Sequence, residues 1–128
     1  MPHIVIEASP QLLAAIEWEP ALRALHAALA APGWARLADL KSRVSPISVG
    51  LCGADPKAQQ LIATLALTNP RSPETCADMA EAVIEHLSRA IAACPQSHPW
   101  VQCCVFLQEH PKSHYLKRQW NAPPVSPA

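Results

Sequence analysis

The sequence has few glycines, no net charge and no long apolar run, and each absence excludes a class of protein. Only three of its 128 residues are glycine, which excludes a glycine-rich loop that cradles a phosphate group. Ten basic residues balance ten acidic ones, so neither a strongly basic nucleic-acid-binding chain nor an acidic disordered chain fits. Arg23 and His26 interrupt the most apolar segment, which is too short to span a membrane. We expect neither nucleic acid nor a membrane as a partner.

Proline is the residue present in excess. Fourteen prolines are about twice the usual share, which predicts short elements with rigid joints. The length allows one domain with a single core. The first residues lack the basic region and the apolar run of a secretory signal peptide. Five cysteines are an odd number, which favours free thiols in a reducing compartment. We therefore expect a cytoplasmic protein.

Hydrophobic periodicity divides the chain into six elements. Leu22, Leu25 and Leu29 recur at helical spacing before a stop at Gly33. Ser72 supplies a capping hydroxyl to a second, longer helix that extends through Ile91. In chain order the predicted elements are a strand over 2–8, a helix over 20–31, strands over 37–49 and 61–68, the helix that follows Ser72, and a strand over 100–108.

This order is a β-α-β unit used twice. Right-handed crossovers would place both helices on one face of a four-stranded sheet, so the predicted fold class is α+β. The domain would cover residues 1–120, and the proline-rich tail 121–128 is expected to be disordered. The other face of the sheet would carry Lys41, Arg43, Trp100 and Phe106. Such a face needs a cover, which a small chain obtains most simply from another copy of itself.

Pro2 is the first candidate for chemistry. Methionine aminopeptidases usually remove Met1 when a proline follows, and the product would be a secondary amine at the start of a strand. An ordinary α-amino group is mostly protonated at neutral pH, but burial and nearby cations lower its pKa and favour a neutral general base. The candidate cations are Lys41, Arg43 and Arg71, and the candidate apolar walls are Ile4 and Phe106. The alternative is a proline present by composition alone.

The three cations also have ordinary interpretations. Lys41 and Arg43 are two residues apart in a predicted strand and leave the same face, where they could bind an anion or merely discourage edge-to-edge pairing of sheets. Arg71 lies between a strand and the long helix, where it could join the first-turn amides in holding a carboxylate. It could equally be a solvated loop arginine.

Four segments together resemble a known family. They are residues 2–7 (Pro-His-Ile-Val-Ile-Glu), residues 37–44 (Leu-Ala-Asp-Leu-Lys-Ser-Arg-Val), the Arg-Ser junction at 71–72 and the Glu-His-Pro at 109–111. In this order they are similar to the 5-carboxymethyl-2-hydroxymuconate Δ-isomerases of the tautomerase superfamily. The resemblance implies a homotrimer of β-α-β-β-α-β subunits with sites near the subunit boundaries.

The resemblance also implies roles for individual residues. Pro2 would be the general base, Arg43 is retained, and Arg71 matches the family's arginine before the second helix. Lys41 stands where the family has an arginine. A lysine ammonium is a point charge, whereas an arginine guanidinium is planar and can bind a carboxylate through two hydrogen bonds. The difference therefore bears on which substrate is preferred.

The implied substrate is a small dienol di- or tricarboxylate made in the breakdown of aromatic compounds. Neutral Pro2 would take the enol proton and return one to carbon, while Lys41, Arg43 and Arg71 hold carboxylates and stabilise the dienolate. The reaction needs neither a metal nor an organic cofactor. Two alternatives remain: a related tautomerase acting on a phenylpyruvate-type enol, and a catalytically silent trimer that binds a small anion or a protein.

Two weaker signals concern the second half of the chain. His110 and His114 are four apart, but Pro111 disfavours a helix that would present both to a metal, so no metal site is expected. Cys103 and Cys104 have no evident base partner and are expected to be core thiols rather than nucleophiles.

Overall fold

The structure is a computed structural model that describes residues 1–95 and 100–124. Within these residues the strands are β1 (His3–Ala8), β2 (Lys41–Pro46), β3 (Gln59–Leu67) and β4 (Val101–Glu109). The α-helices are α1 (Pro10–Ala15), α2 (Trp18–Ala30) and α3 (Pro73–Ala92), and 3₁₀ turns occur at Leu37–Asp39 and Lys112–His114. None of the helices in this part of the chain is long and apolar enough to cross a membrane.

The four strands form one mixed sheet in the order β2-β1-β3-β4. β1 pairs with β2 in parallel, and β3 pairs with β4 in parallel. The two halves join where β1 and β3 run antiparallel. Parallel neighbours need a crossover connection, which the helices between β1 and β2 and between β3 and β4 provide. The predicted α+β fold, a β-α-β unit used twice, is confirmed.

The core lies between one face of the sheet and the helices. Alternate residues of the two central strands are fully buried on this face, as the period of two requires. They are Ile4, Ile6, Ala8, Leu61, Ala63, Leu65 and Leu67. The helices contribute Leu25 and Leu29 from α2, and Met79, Val83 and Leu87 from α3.

The two predicted helix signals act as expected. The Ser72 hydroxyl accepts a hydrogen bond from the Thr75 amide at 3.1 Å, and Pro73 follows at the first helical position. This cap satisfies one of the amides that a helix start leaves without an intrahelical partner. Gly33 has φ +84° just beyond α2, a conformation that glycine adopts without steric cost.

The main correction concerns the segment predicted as a strand over 37–49. Its first residues form a 3₁₀ turn in which the Leu40 amide donates to the Leu37 carbonyl at 3.2 Å, and only Lys41–Pro46 belongs to the strand. The helix α1 was not predicted, because six residues with Leu12 as the one buried side chain show no periodic pattern. The other boundaries differ from the prediction by one or two residues. In the predicted tail, residues 121–124 form neither helix nor strand, and 125–128 lie outside the described residues.

The second face of the sheet points away from the helices. The strand registers place Lys41 beside His3, and Arg43 beside Val5. Phe106 aligns with Thr64 on the same face and is 59% exposed. This open face carries Lys41, Arg43 and Phe106 as predicted, whereas Trp100 lies one residue before the start of β4.

Candidate active site

The start of the chain is held between β2 and the end of β3. The Pro2 carbonyl accepts a hydrogen bond from the Lys41 amide at 3.2 Å, and Pro2 is fully buried. Thr68, the first residue after β3, accepts a hydrogen bond from the Met1 amine through its hydroxyl, which also donates to the Met1 carbonyl at 3.3 Å. Strand pairing and this hydroxyl therefore give the chain terminus a defined position.

The terminal amine lies in surroundings that disfavour its charge. Burial is the main cause that lowers the pKa of the Met1 amine below its ordinary value, and the positive charge of Arg71 is the next. Lys41 and Lys117 lower this pKa further, while Asp39 acts in the opposite direction. These effects favour a neutral amine, the form that can accept a proton.

Arg71 is fixed by backbone carbonyls. Its Nε and Nη2 donate to the Trp34 carbonyl at 3.3 and 3.0 Å, and its Nη1 donates to the Asn69 carbonyl at 3.2 Å. These bonds use three of the five N–H donors of a guanidinium and leave two for a ligand. Arg71 is therefore held in place by carbonyls, and no carboxylate among the described residues forms an ion pair with it.

Lys41 and Arg43 lie on the open face in adjacent rows of β2. Burial is the largest cause that lowers the pKa of Lys41, and the charge of Lys117 adds to it, whereas Asp39 opposes both. Arg43 Nη1 lies 3.4 Å from His3 Nδ1. No ion pair among the described residues involves Lys41, Arg43 or Arg71, so three cations with unneutralised charge lie around the chain terminus and its neighbour His3.

The sequence-based expectations give no role in the site to His3, Tyr115 or Lys117, nor to Thr68. His3 Nε2 and the Tyr115 hydroxyl are 3.0 Å apart, and the two rings meet edge to face with centroids 5.5 Å apart. The Lys117 ammonium donates to Met1 Sδ at 2.8 Å. The segment after β4 therefore returns to the beginning of β1. The polar, aromatic character of this segment was its only signal in the sequence, and it does not indicate where the segment goes.

The two predicted apolar walls lie on opposite faces of the sheet. Ile4 is fully buried on the helix-covered face, because it alternates with His3 along β1, so it does not share the open face with Lys41 and Arg43. Phe106 lies on the open face, but on the edge strand β4, which β3 separates from β1. The structure brings Pro2, Lys41 and Arg71 together, and places Arg43 one row further along the sheet.

The thiols near the sheet are not activated. Burial raises the pKa of the Cys76 thiol, which also donates to Glu109 Oε1 at 3.4 Å. Burial, with a smaller contribution from Cys104, raises the pKa of Cys103 to about 11. Because the thiolate is the nucleophile, a raised pKa disfavours Cys76 and Cys103 as nucleophiles, and in Cys76 the charge of Arg71 opposes this rise without reversing it.

The remaining observations concern metal binding and a cavity away from the chain terminus. In the described part of the chain, no three His, Cys, Asp or Glu side chains come close enough to hold a metal ion. A cavity of about 680 Å³ opens at the opposite end of β1, with Ser9, Gln11, Ile47 and Lys57 in its lining. It contains none of the residues predicted for the site.

Comparisons with known proteins agree with this architecture. No family model and no curated protein matches the sequence. Among solved structures, a 5-carboxymethyl-2-hydroxymuconate isomerase from Deinococcus radiodurans R1 superimposes with a TM-score of 0.70 at 16% identity, covering 91% of this chain and 88% of that one. The two chains therefore share one fold.

Two other structural neighbours support the same fold. The protein Pt0534, in a structure described as inactivated by 2-oxo-3-pentynoate, has a TM-score of 0.69 at 17% identity and covers 88% of this chain and 89% of its own. A fused 4-OT wild-type symmetric trimer has a TM-score of 0.63 at 18% identity, with 87% of each chain covered. At these identities the likeness establishes the shared fold alone.

Proposed function

We propose that this chain is a cofactor-independent tautomerase that uses the Pro2 amine as its general base after removal of Met1. One observation carries the proposal: the amine at the chain terminus lies where burial, Arg71, Lys41 and Lys117 all lower its pKa. Removal of Met1 would make the Pro2 nitrogen the terminal amine. Pro2 is already held in place, because its carbonyl accepts a hydrogen bond from the Lys41 amide. A secondary amine that is neutral near pH 7 is suited to abstract a proton.

The substrate class follows from the charges around that amine. Lys41, Arg43 and Arg71 make no ion pair within the described residues, and Arg71 has two N–H donors beyond its three backbone hydrogen bonds. Because no carboxylate of the described residues pairs with these cations, they suit a ligand that carries carboxylates of its own. We infer a small unsaturated 2-hydroxy or 2-oxo carboxylate of the 5-carboxymethyl-2-hydroxymuconate kind.

The proposed reaction moves one proton. Neutral Pro2 takes the hydrogen of the enol hydroxyl, and the O–H electron pair becomes the carbonyl bond while the double bond shifts along the conjugated chain. The protonated Pro2 amine then gives a proton to the distal carbon, so the product is an isomeric 2-oxo acid and Pro2 is neutral again. Arg71 and Lys41 stabilise the dienolate in a preorganised electrostatic environment. No electrons are gained or lost, so proton transfer and fixed charge suffice.

A homotrimer is part of the proposal. The open face of the sheet carries half-exposed residues along β1 and β3, and Phe106 is 59% exposed on β4. Burying such a face against other copies of the chain removes apolar surface from water. The solved neighbour described as a symmetric trimer supports this assembly.

Lys41 supports a second candidate substrate. A lysine ammonium is a point charge and does not grip a carboxylate through two parallel hydrogen bonds as arginine does. Lys41 therefore suits a substrate with fewer carboxylates, such as a phenylpyruvate-type enol. Rates with a dienol dicarboxylate and with enol-phenylpyruvate distinguish the two.

The decisive comparison is between two forms of the same protein. Mass spectrometry identifies the fractions with and without Met1, and ultraviolet absorbance follows ketonisation of 2-hydroxymuconate by each. We expect activity in the processed form and a loss of about 10²–10⁴-fold in the form that retains Met1, because its Pro2 nitrogen is an amide. Pro2→Ala and Arg71→Ala should both be slower than the parent. Equal rates in both forms would exclude Pro2 as the base, and rates in both forms no higher than that of the uncatalysed reaction would favour a silent anion-binding protein.

A further inference from the structure

Three side chains from separate parts of the chain form a hydrogen-bonded row beside the proposed base. Arg43 Nη1 lies 3.4 Å from His3 Nδ1, and His3 Nε2 lies 3.0 Å from the Tyr115 hydroxyl. Arg43 belongs to β2, His3 to β1, and Tyr115 to the segment after β4. His3 directly follows Pro2 and pairs with Lys41 across the strands. The row therefore ends at Tyr115, close to the proposed site.

The chemistry of these groups determines which atom carries each proton. A guanidinium has only donors, so Arg43 requires His3 Nδ1 to be the acceptor. A neutral imidazole with an unprotonated Nδ1 carries its hydrogen on Nε2, which then donates to the Tyr115 oxygen. The Tyr115 hydroxyl proton is not used in this row. Among the described residues, the Tyr115 hydroxyl has no hydrogen-bond partner other than His3.

The charges around His3 support the neutral ring. Burial is the main cause that lowers the pKa of His3, followed by the charges of Lys41 and Arg43, and then by the terminal amine and His110. The two largest of these charges, those of Lys41 and Arg43, are positive. Positive charges near the Tyr115 hydroxyl favour an anionic oxygen as the acceptor of its hydrogen. An O–H group that donates to a carboxylate makes a strong, charge-assisted hydrogen bond.

We propose that Tyr115 binds a carboxylate of the substrate through its hydroxyl hydrogen, and that Arg43 and His3 are positioning residues that direct this hydrogen towards the ligand. The role rests on the proposed function for the identity of the substrate. It adds a binding residue from the segment after β4, and it gives Arg43 a function through His3.

The first test measures binding without turnover. Calorimetry with 2-oxoadipate, a dicarboxylate that lacks the diene, compares the parent with Tyr115→Phe, which keeps the ring against His3 and removes only the hydroxyl. We expect the Kd to rise about tenfold, as for the loss of a hydrogen bond to a charged group. Leu116→Ala is the matched control, because Leu116 is the next residue and is 94% exposed. It should bind like the parent.

Kinetics and NMR provide readouts that a merely structural role would not change. With the dienol substrate, Tyr115→Phe should raise KM about tenfold and leave kcat within about threefold, because the carboxylate contact exists before and during proton transfer. The ¹⁵N shifts of His3 in the parent should show the hydrogen on Nε2. A His3 hydrogen on Nδ1, a parent that does not bind 2-oxoadipate, or unchanged binding in Tyr115→Phe would overturn the proposal.

These outcomes are separable from the proposed function. Tyr115-dependent binding together with equal activity in the two Met1 forms would retain Tyr115 and reject the base. Activity confined to the processed form together with unchanged binding and KM in Tyr115→Phe would retain the base and reject Tyr115.

Discussion

Replacing Arg71 should separate its structural role from its electrostatic role. Its three hydrogen bonds, 3.0 to 3.3 Å long, reach two carbonyls. In Arg71→Ala, water can replace the hydrogen bond to the carbonyl of exposed Asn69. The loss of stability therefore comes mainly from the two hydrogen bonds to the part-buried Trp34 carbonyl. A hydrogen bond from a charged donor contributes about 1.5–3 kcal/mol, and we expect a loss of about 2 kcal/mol. For a chain of this size the Tm should fall by roughly 8 °C.

The electrostatic role predicts a different pattern. Burial lowers the pKa of the terminal amine most, and Arg71 is the largest charge that lowers it further. Arg71→Ala should therefore raise this pKa, whereas Arg71→Lys should keep it low, although lysine cannot reproduce the forked contact with Trp34. The variant with lysine would lose stability but retain the amine's pKa. In turnover, Arg71→Ala should lower kcat/KM by about 10²–10³-fold, the magnitude of one lost oxyanion stabiliser.

Two assays and one control test this reasoning. Urea denaturation measures the free energy of unfolding, and the pH dependence of N-terminal acylation measures the pKa of the amine. The control is Arg89→Ala, because Arg89 makes an exposed ion pair with Glu85 and should cost no more than about 0.5 kcal/mol. An amine pKa that is the same in Arg71→Ala as in the parent, or that rises equally in Arg71→Lys, would refute the electrostatic role.

Two further predictions concern stability. The folded protein lowers the pKa values of His3 and His26, in both cases chiefly through burial, so their stabilising effect is present above their ordinary pKa of about 6.5 and is lost as the pH falls through the lowered values. The urea midpoint should therefore decrease between pH 7 and pH 5, and a constant midpoint would contradict this. Ser72→Ala removes the hydrogen bond to the Thr75 amide and should cost about 1 kcal/mol in unfolding free energy. Ser88→Ala, at an exposed position within α3, is the control, and equal losses would argue against the cap.

The elements that the sequence predicted correctly are those with a strong local pattern. The apolar run that became β3, the apolar stripe and Ser72 cap of α3, and the stop at Gly33 all rest on residues close together in the chain. The short α1 and the 3₁₀ turn before β2 were missed because neither is long enough to show a period.

For the candidate site, the sequence alone determined the residue types and the faces they occupy. The period of two places Lys41 and Arg43 on one face of β2, and the same period explains why Ile4 cannot line that face. Local spacing does not show which distant segments meet.

Only the tertiary structure decided the contacts around the chain terminus. Thr68 and Lys117 contact Met1 across 67 and 116 positions of the chain, and Tyr115 contacts His3 across 112. These contacts depend on the register of β1 between β2 and β3, and on the path of the chain after β4. Both result from packing the whole sheet against its helices, so no window of neighbouring residues contains the information.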